Sequence, residues 1–192
     1  MRERVTKGSV PALAAILTVA SVLIGAPPSF ADEIICQGRI GKVTVPNVKV
    51  PQGKKCVLRG TTVQGNVVVE TDATLQAMKV SVIGDIQAEG AAAVQVLSGS
   101  SIGGSVQIVQ GGGAVVDFSK ITGDILFDSN QNPLAATRNT VGGDVQAFQN
   151  SGGVEISDNF IDGNLQCKAN DPAPTGGGNV VQGNKEDQCT SL

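Results

Sequence analysis

The sequence predicts an all-β fold of the parallel β-solenoid kind, and three observations predict it. A phrase consisting of an aliphatic residue, any residue, Gly, a small polar residue and another aliphatic residue returns throughout residues 61–183. Its glycines are Gly65, Gly84, Gly104, Gly123, Gly143, Gly163 and Gly183, a near-constant period of about 20 residues. A fixed period of this length marks a unit too small to bury its own apolar face, which it covers by stacking on its neighbours. Apolar and polar residues alternate after each Gly, as in a strand with one buried face. No segment between the strands is long enough, or 3.6-periodic enough, to be the crossover helix of an α/β fold.

In chain order, residues 1–31 read as a cleaved secretory signal. Arg2, Arg4 and Lys7 precede an apolar core over residues 13–26, and Ser29-Phe30-Ala31 ends in a small residue suited to a signal peptidase. The apolar core is short for a membrane span, and no later stretch approaches the roughly 20 apolar residues that a span needs. Bulky Ile34 and Ile35 before Cys36 argue against a lipid anchor on that cysteine.

Removing the signal leaves 161 of 192 residues, enough for one domain with a core. It also removes three basic and one acidic residue from totals of 14 and 17, leaving a net charge of −5. That average gives no support for binding nucleic acid or for attraction to anionic membranes. His, Trp and Tyr are absent. Imidazole acid–base chemistry, imidazole metal ligation, a Ser-His-Asp triad and Trp or Tyr stacking platforms are therefore excluded.

Residues 32–60 form an N-terminal cap and a degenerate first rung. Val43 and Val45, then Val48 and Val50, alternate with polar neighbours, and Pro46-Asn47-Val48 aligns with Gly65-Asn66-Val67 one rung later. Pro46 and Pro51 cannot donate ladder hydrogen bonds, which suits an end rung.

Within residues 61–183 the inward columns are read by counting from each Gly. Two before it stand Val63, Val82, Ile102, Ile121, Val141, Ile161 and Val181; two after it stand Val67, Ile86, Val106, Ile125, Val145 and Leu165. Four after it come Val69, Ala88, Ile108, Phe127, Ala147 and Cys167, with Gln87, Gln107, Gln146 and Gln166 facing outward between the two columns. A second strand precedes each Gly, its inward residues about nine and seven positions before it, as in Leu134 and Ala136, with a one-residue shift in the rung that ends at Gly104. The remaining side of each rung reads as looser chain, including Gly111-Gly112-Gly113 and Asn130-Gln131-Asn132-Pro133. About seven rungs give a rod about 34 Å long. Residues 184–192 are a cap or tail, because Lys185 and Asp187 fall where Leu165 and Cys167 stood one rung earlier.

Cys36 and Cys56 lie one rung apart in the sequence, and Cys167 and Cys189 lie slightly more than one rung apart. Stacking therefore predicts these two disulfides, one at each end.

These residues resemble the single-stranded parallel β-helix of pectate-lyase-like proteins and, with such short rungs, bactofilins. The resemblance covers residues 43–189. Ser100, Ser119, Asn139, Asn159 and Asn179, four before each Gly, look like the asparagine ladder of right-handed members. An aliphatic residue at every sixth position, the mark of left-handed hexapeptide helices, is lacking; the right-handed form is therefore implied. The stretch from Gly163 through Pro172-Ala173-Pro174-Thr175-Gly176-Gly177-Gly178-Asn179 to Lys185 resembles the ending of secreted actinobacterial β-helix proteins, which implies location and fold but no activity.

The columns also hold the candidate sites. Asp124 and Asp144 follow Gly in adjacent rungs, close enough for two carboxylates to hold Ca²⁺ with backbone oxygens, although Asp and Asn also simply suit a Gly bend. The glycine-aspartate phrase recurs once per rung here, not once per nonapeptide as in Ca²⁺-binding repeats of that type. An ice-binding face would need a regular Thr array, and residues 80–119 contain no Thr. A lyase or hydrolase of this architecture needs carboxylates gathered with a proton abstractor. Lys79, Lys120 and Arg138 fall at different places in the repeat, away from Asp85, Asp124 and Asp144, and near-constant rung length leaves no loops to wall a cleft.

The sequence therefore predicts a secreted, non-catalytic structural or binding element of the bacterial cell surface or extracellular space, without cofactor or metal. Gln87, Gln107, Gln146 and Gln166 are its expected ligand face, and an extracellular polysaccharide or envelope component its expected partner, with no membrane insertion. A polysaccharide-acting enzyme and a self-assembling scaffold are the alternatives.

Overall fold

The computed structural model describes residues 32–192, so residues 1–31, the expected secretory signal, lie outside the described residues. The chain winds as a parallel β-solenoid with three sheets. The first sheet has nine strands, from Glu33–Ile35 to Lys185–Asp187; the second has eight, from Gly38–Ile40 to Thr175–Gly177. The third sheet also has eight strands, each of two residues, from Thr44–Val45 to Val180–Val181. Eight strand spacings in the first sheet make a rod about 38 Å long.

The inward columns are where the sequence places them. Val67, Ile86, Val106, Ile125, Val145 and Leu165 form one stack, fully buried, and Phe127 is the largest buried side chain. Parallel strands buried on the inner face with hydrogen bonds to the rungs above and below leave the backbone nearly completely paired.

Four features differ from the sequence reading. The residues two before each Gly form a third sheet of their own where the spacing suggests only a bend, because two-residue strands are too short to show an alternation. The coil already begins at Glu33, because residues 33–45 complete a short turn in which Glu33 pairs with Asn47, well before a full rung has passed. Val43, expected to be half-buried, is 53% exposed in that turn. At the other end Lys185–Asp187 still pairs with Leu165–Cys167, so one further strand lies within the expected cap. Lys185 then bonds through Nζ to the Leu192 carbonyl, while Cys189 and Leu192 are buried beneath the closing turn.

Both disulfides are present, Cys36–Cys56 with Cα atoms 5.5 Å apart and Cys167–Cys189 at 5.2 Å. Their partners are not stacked in one column, however. Cys56 pairs in register with Gly38, and Cys167 with Asp187, so each bridge spans a corner. Replacing both Cys167 and Cys189 by Ser is expected to cost about 2–4 kcal/mol, read as a lower urea midpoint.

The repeating Gly has a steric cause. A Cβ on Gly143 would lie 2.0 Å from Asp124 Oδ1, and the same conflict recurs at Gly65, Gly84 and Gly104 with Asn47, Asn66 and Asp85. Gly143→Ala should therefore cost about 1–3 kcal/mol by overpacking, seen as a lower melting temperature; an unchanged melting temperature would contradict the packing.

The rung ending at Gly104 is one residue longer at a single corner. Elsewhere one left-handed residue, such as Lys79 or Arg138, separates the second-sheet strand from the ladder position; there Ser98 and Gly99 both take positive φ.

Candidate polymer-binding groove

Most polar groups predicted as sites are engaged in joining rungs. At the Gly corner, Asp124 Oδ1 accepts from the Asp144 backbone N–H at 2.8 Å, and Asp144 Oδ1 accepts from that of Asn164 at 2.6 Å. Asn66 and Asp85 do the same for the rungs after them. One oxygen of each carboxylate is thus fixed by the turn, and no cluster of three or more metal-ligating residues occurs among the described residues.

At the corner between the second and third sheets, Asn139, Asn159 and Asn179 form the expected amide ladder. Asn139 Nδ2 donates to Asn159 Oδ1 at 3.0 Å and to the Val116 carbonyl at 2.8 Å, and Asn159 repeats this toward Asn179. The left-handed residue is the one before each ladder position, Phe118, Arg138 or Asp158, rather than the asparagine itself. The asparagines are there to bond up the stack and back to a carbonyl.

A second amide ladder, not read from the sequence, fills the corner between the first and second sheets. Asn130 donates to Asn150, and Asn150 to Asn170, at 3.0 and 2.9 Å. Gln188 of the closing turn then replaces the next asparagine, accepting from Asn170 Nδ2 and returning a bond to the Asn170 carbonyl. Among the described residues no buried side-chain polar atom lacks a partner.

Asp117 and Arg138 make a two-pronged ion pair at 2.7 and 2.8 Å. Burial pushes the Asp117 carboxyl up, but hydrogen bonds from Thr137 and Arg138 and the guanidinium charge outweigh it and hold the carboxyl below its ordinary range. A carboxylate kept ionised by a paired cation is poorly suited to proton transfer near neutrality.

The outward glutamine column is divided by the structure. It runs Lys49, Val68, Gln87, Gln107, Leu126, Gln146, Gln166, Glu186. Gln146 donates to Gln166 and Gln166 to Glu186, each at 2.9 Å, so that half forms a bonded ladder. Gln87 and Gln107 lie in adjacent rungs, separated from that ladder by Leu126, and line an open groove of about 820 Å³. Gln52, Val68, Val69, Glu70, Thr71, Ala88, Glu89 and Val109 complete its lining. The repeat does not mark these residues as a site: Val68 is an apolar member of the glutamine column, Glu89 and Val109 close their strands, and Glu70 and Thr71 lie just past theirs.

Glu70 marks one end of the groove. It accepts from Lys49 Nζ at 2.6 Å and from the Gln52 backbone N–H at 3.0 Å. The Lys49 hydrogen bond, then the Gln52 one, hold its carboxyl below the ordinary range, and Glu70 raises Lys49 in return. A depressed carboxyl contributes its pairing above its unfolded pKa and loses it as pH falls through the folded value. The Lys49–Glu70 pair should therefore keep its charges from pH 8 to about 5 and change only below the ordinary carboxylate range. Binding at this groove is expected to be flat over that interval in a titration series.

Comparison of the chain with protein-family models, with curated proteins and with solved structures finds no significant match. The β-solenoid fold therefore stands on the repeat and on the three sheets.

Proposed function

We propose that the mature protein is an extracellular, non-catalytic β-solenoid that serves as a binding or structural element at the bacterial cell surface, meeting an extended polysaccharide at the Gln87–Gln107 groove. The observation that carries this reading is the division of the polar groups. Asp124, Asp144 and the corner amides are tied rung to rung, whereas the side-chain amides of Gln87 and Gln107 make no hydrogen bond among the described residues and line a groove. Amides repeating about 4.8 Å apart along the rod suit a polymer that offers hydroxyl and amide groups at regular intervals. Lys49 pairs with Glu70 and Glu89 adds a further carboxylate, so a neutral or amino-bearing glycan fits this groove better than an acidic one.

The test is retention of residues 32–192 on insoluble glycan from the producing cell's envelope, with released sugars assayed in the same samples. The expected result is retention without release of reducing ends. Release of sugar would overturn the non-catalytic reading, and absence of retention would overturn the binding one.

A further inference from the structure

The net charge of the chain conceals a division along the rod. Residues 32–60 carry six Lys and Arg against two Asp and Glu, a net of +4; residues 61–192 carry five against fourteen, a net of −9. The cationic part is the N-terminal end of the coil. Arg39 pairs in register with Val57, and Lys55 and Arg59 lie two residues to either side of Val57 on the same outward face of the second sheet. Lys42 and Lys54 stand at the adjoining corners. All five are exposed, and none forms a salt bridge among the described residues.

The same end is apolar at its tip. Ile34 and Ile35 in the edge strand of the first sheet are 39% and 51% exposed, and Val43 in the same turn is 53% exposed. The opposite end differs in both respects, being closed by Gln188, Cys189 and Leu192 and bearing Glu186 and Asp187.

We propose that the N-terminal end of the rod docks, end-on and without insertion, on an anionic lipid bilayer surface. Apolar side chains at the tip enter the headgroup boundary, while the cations behind them meet the lipid charges. The negative remainder of the rod is repelled by the same surface, which orients the long axis outward. A second copy is a poorer occupant of this end. Two such tips would bring +4 against +4, and a head-to-tail contact would meet the closed C-terminal turn. Docking in this way is independent of the glycan reading, and it would place the groove in the rungs next to the membrane.

The test is co-sedimentation of residues 32–192, which carry the whole described coil, with two kinds of vesicle: phosphatidylcholine alone, and phosphatidylcholine mixed with phosphatidylglycerol. Binding is expected only to the mixed vesicles, weakening as salt is raised. Arg39→Gln with Arg59→Gln should weaken it about 30-fold, at roughly one unit of surface attraction per cation. Ile35→Ser with Val43→Ser should also weaken it, and both pairs should melt like the parent because all four side chains are exposed. Failure to bind the mixed vesicles would overturn the proposal, as would sedimentation of the protein alone. So would binding that either pair of substitutions leaves unchanged; if only the apolar pair has no effect, the cationic face takes any polyanion and the lipid assignment fails.

Discussion

Ile125→Asp is expected to unfold the central rungs. Ile125 is fully buried between Val106 and Val145, its register partners in the rungs on either side. A carboxylate there would stand in a column of aliphatic side chains with no cation or donor among them. It must either stay ionised without partners or take up a proton, and either course costs several kcal/mol, a large fraction of the margin of a typical domain. The effect should spread, because each rung is stable only through its neighbours. Chemical denaturation should show a midpoint lowered severely or no folded baseline at all. A melting temperature within a degree of the parent would mean that this column does not face inward.

Asn150→Ala is expected to be the most damaging polar substitution, although it touches neither a groove nor a surface. Asn150 Oδ1 accepts from the backbone N–H and the Nδ2 of Asn130, and its own Nδ2 donates to the Phe127 carbonyl and to Asn170. Alanine would leave buried donors and a carbonyl unpaired where water cannot easily replace the amide. With about 1–3 kcal/mol for each such group, the loss should be about 3 kcal/mol or more. Gln166→Ala removes a comparable pair of amide bonds on the outer face, where solvent replaces them, and should cost less than about 1 kcal/mol. Equal effects of the two substitutions in urea titrations would contradict the buried placement of the second ladder.

The contrast between these residues explains what the sequence discloses. Ile125 and its column are legible because a dry interior admits only aliphatic side chains, rung after rung. The glycines are legible for a harder reason, since any Cβ at Gly143 would meet Asp124 Oδ1. Asn150 is hidden because its column reads Ala73, Ala91, Gly111, Asn130, Asn150, Asn170, and the first three members carry no amide. Its last member, Gln188, follows Asn170 by less than a full rung and reaches the site only through a longer side chain.

Other features stay hidden because they are not periodic. The two-residue strands of the third sheet contain one inward residue each, so they register as part of a bend. The turn over residues 33–45 is far shorter than a repeat, which is why Cys36 meets Cys56 across a corner although their spacing equals one rung. The four-glutamine face is legible as a column, but its division at Leu126 depends on side-chain bonding that spacing does not encode. The charge division along the rod is legible in principle, yet an average over the whole chain erases it.

Titration of neutral β-1,4-linked oligosaccharides of graded length against the parent and two double variants tests whether the Gln87–Gln107 groove holds a polymer. Neutral hydrogen bonds net only about 1 kcal/mol each, so affinity should rise with oligosaccharide length as more rungs are engaged. Gln87→Ala with Gln107→Ala should weaken binding, Gln146→Ala with Gln166→Ala should leave it unchanged, and no sugar should be cleaved. Equal loss in the two variants would contradict the groove assignment, and cleavage abolished by Asp124→Ala or Asp144→Ala would replace the binding rod with a β-helix enzyme.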